Sequence, residues 1–153
     1  MDFSLTEEQK MIQQTVRQFV ERELMPLEND VLQNEGKYPN GVEPAVYDSL
    51  QRKAKEMGFW GINTPEEYGG ANLGAVMSAL IFMELGKTLV PFMFAGSADN
   101  ILYYGNERQK EEYLIPTIEG ERKSCFALTE PGAGSDPSAI RSTAVKDLSL
   151  IHI

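Results

Sequence analysis

The residues best equipped for chemistry lie in one late stretch, Ala127-Leu-Thr-Glu-Pro-Gly-Ala-Gly-Ser-Asp136. Hydroxyls at Thr129 and Ser135 and carboxylates at Glu130 and Asp136 surround Gly132 and Gly134. Glycine lets the backbone adopt positive φ and approach a ligand closely. Successive N–H groups in such a bend form a concavity that receives an anion. The chemistry on offer is therefore the holding of a bulky anionic molecule, and the rival reading is a plain turn between two strands. Two common phosphate motifs do not fit. A P-loop needs Lys-Ser/Thr after its last glycine. A dinucleotide fingerprint needs a third Gly or Ala opening a helix, where this chain has Pro137.

The other reactive side chains are sparse. Glu130 is the tempting general base, but beside Pro131 it reads as a turn-fixing or exposed carboxylate. Cys125 precedes an apolar run and has no partner histidine, so it reads as a small buried filler. One cysteine allows no internal disulfide and suits a reducing compartment. His152, the only histidine in the sequence, cannot build a metal site alone, and no metal is expected.

Composition sets the class. The 153 residues suffice for one ordinary domain, and 42% hydrophobic with 24% charged residues describes a globular protein. A formal charge of −9 argues against nucleic acid and anionic membrane surfaces, though not against a small anion held by local dipoles. The start of the sequence shows neither a basic n-region nor an apolar h-region. No apolar run approaches the ~20 residues needed to span a bilayer. A cytoplasmic location is the expectation.

The loop must be carried by what precedes it. Ile12, Val16, Phe19, Val20 and Leu24 recur at helical spacing, after a capping box made by Ser4 with Glu7 or Thr6 with Gln9. Pro26 is expected to end or kink that helix, with 27–35 as a short continuation stopped by Gly36. A second helix covers 45–57, with Val46, Leu50, Ala54 and Met57 on one stripe and Gly58 just past its end. Residues 59–74 read as an ordered loop packed through Phe59, Trp60 and Tyr68. The helix over 75–89 is apolar on most of its circumference and is expected to be covered on more than one side. Another apolar helix is expected from Pro91, then a charged, exposed one at 106–121 broken at Pro116. Beyond that, "SCFALT" reads as a buried strand and "AIRSTAVKD" as an alternating one. The fold class is mainly α: an all-helical unit over 1–120, the start of a β unit over 121–147, and a tail over 148–153. Two or three strands do not make an independent sheet domain, so the β part reads as incomplete.

"FALTEPGAGSDPSAIRSTAV" closely resembles the signature region of the acyl-CoA dehydrogenase family. "FSLTEEQKMI", "TPEEYGG" at 64–70 and "YGNERQKEEYLIP" at 104–116 resemble that family's N-terminal helical domain in order and spacing, so the likeness spans residues 1 to about 147. The resemblance implies an N-terminal helical bundle followed by the first strands of a truncated β domain that carries a flavin-contacting loop. It implies that Phe126 and Leu128 meet the isoalloxazine edge of FAD and that Thr129 hydrogen-bonds the ring. Gly134 and Ser135 would meet the pyrophosphate, and Ser135 would also face the phosphopantetheine of an acyl-CoA substrate.

The implied reaction is α,β-dehydrogenation of an acyl-CoA thioester to 2-enoyl-CoA, with FAD as hydride acceptor. Electrons would pass to an electron-transfer flavoprotein, and full-length relatives would be homo-oligomers. No catalytic residue is assigned here, because the family's glutamate base comes from a later C-terminal helical region that nothing in this sequence matches. The chain is thus expected to be a fragment, inactive alone, whose tail from about Leu148 departs from the family pattern. Two alternatives stay open: an acyl-CoA oxidase or flavin monooxygenase on the same scaffold, or a cofactor-free helical interaction module using the apolar helices at 74–104.

Overall fold

The computed structural model describes residues 4–125, 127–143, 145–147 and 150–152. The chain divides into two compact units, Met1–Lys123 and Ser124–Ile153.

The first unit is helical. Helix α1, Glu7–Phe19, starts on a capping box in which the Thr6 hydroxyl accepts from Gln9 N–H and the Gln9 side chain accepts from Thr6 N–H. The Thr6 box that the sequence offers is formed. Glu7 and Glu8 sit in the first turn, where the helix dipole favours negative charge. The predicted stripe faces the core: Val16, Phe19, Val20 and Leu24 are buried, and Ile12 packs against them.

Pro26 does not end this run. A π-turn over Val20–Leu24 and a 3-10 turn over Met25–Leu27 carry the chain into α2, Glu28–Gln33. The same device recurs later. Helix α6, Glu107–Gln109, passes through a π-turn at Lys110–Leu114 into α7, Ile115–Glu119, which holds Pro116 in its first turn. Each π-turn ends two residues ahead of its proline. Widening the turn to i→i+5 shifts the backbone that the proline ring would otherwise strike. Pro116 therefore does not break its helix, and the segment is not wholly exposed: Leu114, Thr117 and Ile118 are buried.

Helix α3, Pro44–Glu56, buries Leu50 and Ala54, while Met57, at its C-cap, is exposed. Gly58 follows in the left-handed region at φ 85°. Helix α4, Gly74–Leu85, lies against α1 and buries Met77, Ser78, Leu80, Ile81, Glu84 and Leu85. Val76, Phe82 and Met83 are exposed. The helix is thus apolar all round but covered on one side within this unit, short of the expectation.

The expected helix from Pro91 is absent. Residues 91–99 run without regular structure before the short α5, Asn100–Tyr103. Val90, Phe92 and Phe94 point inward, while Pro91 and Met93 are exposed. That is a period of two, the repeat of an extended chain. Phe94 stacks on Phe59 at 4.9 Å, and Phe92 meets Phe19 at 5.4 Å and Tyr47 at 5.6 Å. The Gln51 side chain of α3 acts as a strand rung: Nε2 donates to Met93 O at 2.7 Å and Oε1 accepts from Ala95 N–H at 3.3 Å.

The loop at 57–73 is ordered through the predicted aromatics. Trp60 Nε1 donates to Ile118 O at 3.0 Å, and Tyr68 meets Tyr103 edge-on. Gly61, at φ 62°, donates its N–H to Ala95 O, and a Cβ there would lie 2.9 Å from Gly96 O. Glycine is required at that contact.

In the second unit the strand expected at 124–129 does not form among the described residues, and of the one expected over 139–147 the described strand is β1, Val145–Asp147. β1 pairs antiparallel with β2, Leu150–His152, in the register Val145 with His152 and Asp147 with Leu150. A strand exists only where a ladder partner exists, and among the described residues none is paired with 124–129. Cys125 is exposed for the same reason, not buried as the sequence suggested.

Candidate functional site

The candidate loop, residues 127–142, is a chain folded on itself by two carboxylates. Glu130 and Ala133 exchange two backbone hydrogen bonds, Glu130 N–H to Ala133 O at 2.8 Å and Ala133 N–H to Glu130 O at 3.1 Å. Pro131 and Gly132 form the corner between them. Asp136 then caps a 3-10 turn over Pro137–Ala139. Its Oδ1 accepts from Ser138 N–H at 3.0 Å and from the Ser138 hydroxyl at 2.6 Å. Proline at the first helical position suits such a cap, since its missing N–H costs nothing there.

Glu130 closes the loop. Its Oε2 accepts from Arg141 N–H at 2.9 Å and its Oε1 from Ser142 N–H at 3.0 Å. These amides, the Arg141 N–H foremost, hold the Glu130 carboxyl below its ordinary value. The Ser138 hydroxyl and N–H lower Asp136 likewise. Both groups are anions committed to their own loop, and neither is poised to take a proton. The turn-fixing role expected of Glu130 is what the geometry gives it.

The described residues that the resemblance picked out are open to solvent. Thr129, Gly134 and Ser135 are exposed, and Leu128 is half-exposed. Among the described residues, the N–H groups of Gly134 and Ser135 have no intramolecular acceptor. Phe126, the remaining predicted contact, lies outside the described residues. The glycines act differently from expectation: Gly132 and Gly134 are absent from the positive-φ positions. A proline-led turn of type I needs no left-handed residue. What these glycines provide is space, since a Cβ at either would meet nothing within 4 Å. The loop thus exposes two hydroxyls, two N–H donors and one apolar side chain. That donor set fits a molecule with a polar-edged aromatic ring and an anionic arm.

Sequence reasoning did not assign Asp136 its role, although Asp-Pro-Ser is a readable cap. Glu130's partners are backbone amides 11 and 12 residues away, which no side-chain pattern announces. Among the described residues no cluster of His, Cys, Asp and Glu is placed to hold a metal ion. No described helix is long and apolar enough to cross a membrane.

A helical unit that hands the chain to a glycine-bearing, donor-rich loop is the class that fold and site define. Residues 6–121 match the family model described as acyl-CoA dehydrogenase, N-terminal domain, and the chain belongs to that family. The (R)-benzylsuccinyl-CoA dehydrogenase of Thauera aromatica is 38% identical, over 96% of this chain and 39% of its own length. A crystal structure of acyl-CoA dehydrogenase from Geobacillus kaustophilus superposes with a TM-score of 0.67 at 32% identity, over 99% of this chain and 39% of that one. The Bacillus anthracis acyl-CoA dehydrogenase complexed with FAD gives 0.64 at 33% identity, over 92% and 24%. The chain spans between a quarter and two fifths of these relatives.

Proposed function

We propose that the protein carrying this chain oxidises an acyl-CoA thioester to the 2-enoyl-CoA, using FAD. The observation that carries this reading is the family match, which runs directly into a loop whose free donors suit a flavin nucleotide. FAD, when bound, supplies a two-electron acceptor for the β-hydrogen. The chain's own residues bind and orient. Leu128, with Phe126, offers apolar contact to the ring, and the Thr129 hydroxyl and backbone offer hydrogen bonds to its polar edge. Gly134 and Ser135 offer N–H groups to the pyrophosphate, and Ser135 adds a hydroxyl toward the pantetheine arm of the thioester. Glu130 and Asp136 are occupied, so no base is assigned among these residues, and the 153-residue chain alone is expected to give no turnover. Electrons would pass to an electron-transfer flavoprotein, in a cytoplasmic homo-oligomer.

The test is anaerobic addition of acyl-CoAs to the purified full-length protein while following its visible flavin spectrum. Bleaching, with dye reduction that the 153-residue chain alone does not show, is the expected result. A colourless protein that binds neither FAD nor any coenzyme A thioester overturns the reading. Acyl-CoA-dependent oxygen consumption would move it to an oxidase.

A further inference from the structure

We propose that Glu130 is the positioning residue of the loop: its carboxylate ties the arm before the turn to the arm after it, and so sets the arc from Thr129 to Ser135 in the form that receives the cofactor. The proposal rests on the flavin reading above. Besides the two backbone bonds of the 3-10 turn, three closures hold the loop among the described residues, and they differ in reach. The Glu130–Ala133 bonds span three residues and the Asp136 cap spans two. The Glu130 carboxylate spans 11 and 12 residues, to the Arg141 and Ser142 N–H groups. The short closures shape each corner, while the long one fixes the corners relative to one another.

Both carboxylate oxygens are used, each on one amide, and bonds from an N–H to an ionised acceptor are stronger than neutral ones. The side chain is half-buried, so these bonds compete with water and hold the loop without freezing it. Without the clamp, Thr129 and the Gly134–Ser135 amides would still be present, but their spacing would be set by local turns alone. A multi-point ligand would then order the loop at its own expense on binding.

The substitutions follow from the geometry. Glu130→Gln keeps one acceptor oxygen and turns an NH2 toward the other amide, so one of the two bonds is lost. Glu130→Asp keeps the charge but is one methylene short of both amides. Each is made in the full-length protein, and FAD affinity is measured by titrating the apoprotein, beside the bound flavin's visible spectrum, the apoprotein's thermal midpoint, and kcat and KM for the acyl-CoA. Expected is an FAD Kd raised about tenfold in Glu130→Gln, the weight of one such bond, with a rise at least as large in Glu130→Asp, which falls short of both amides. The flavin spectrum should shift and the apoprotein midpoint should stay put. If Glu130→Gln fails to fold, Glu130→Asp carries the test. Wild-type Kd and spectrum in the folded variants would overturn the proposal, as would a lowered midpoint with unchanged Kd, the mark of a merely structural carboxylate. A wild-type protein that binds no FAD would overturn the flavin reading itself, and that outcome is visible before any substitution is made.

Discussion

Glu84 shows what a single charge does in this fold. It sits near the end of an apolar helix with its side chain 1% exposed, a placement that is costly without partners. Four donors meet it: Arg17 Nε at 3.1 Å and Nη2 at 3.0 Å, Gln13 Nε2 at 2.9 Å and Lys87 Nζ at 2.6 Å. The Arg17 bonds, against the opposing effect of burial and helped by Lys87, bring the carboxyl from 4.5 down to about 2. A depressed folded value means that the ionised group stabilises the fold above the unfolded value, and that this contribution is lost as pH falls from about 4.5 toward about 2. Because Arg17 and Lys87 are nearly half exposed and screened, its weight is on the order of 1–3 kcal/mol. Glu84→Gln should therefore lower the melting temperature at pH 7. Its melting temperature should also fall less steeply than that of the wild type as the solution is acidified through this window. Thermal melts taken at half-unit pH steps check it, and parallel curves for the two proteins would contradict the assignment.

At the scale of elements, the segment from Val90 to Phe94 decides between two readings of one apolar run. In sequence, "VPFMF" satisfies a buried helix as well as an alternating strand, because every position is apolar and density hides period. The helices α1 and α3 were legible because polar residues mark their outer faces and a capping box or a trailing glycine marks an end. The loop was legible as a motif, and the glycines' steric role in it was not, since composition carries no dihedral angle. The π-turns were hidden for another reason: proline announces a difficulty without saying whether the chain will stop or widen. The alternation makes a sharp prediction. Phe94→Ala, which removes a ring held by Phe19, Phe59 and Phe92, should cost about 3–5 kcal/mol. Met93→Ala, one residue earlier and 56% exposed, should cost no more than about 0.5 kcal/mol. Urea denaturation measures both. Similar losses would mean that the segment packs on two faces, as a helix would.

The whole molecule divides unequally. The unit Met1–Lys123 holds a continuous core running from Val16 through Leu50 and Ile81 to Phe94, with the family's N-terminal domain match lying entirely inside it. Its aromatic contacts, the Glu84 cluster and the Trp60–Ile118 bond all close within those residues. The unit Ser124–Ile153 is held by a short antiparallel pair and by carboxylate-to-backbone clamps, and its described residues are mostly exposed. Cooperative melting requires a shared apolar interior, and a two-stranded pair in water has too little of one. We therefore expect the chain cut after Lys123 to keep the helical far-ultraviolet circular dichroism of the parent and a single cooperative transition within a few degrees of it. A peptide of residues 124–153 should show no cooperative transition of its own. If the shortened chain melts broadly or loses helical signal, the helical unit depends on the loop unit for its stability, and the two must be treated as one folding body.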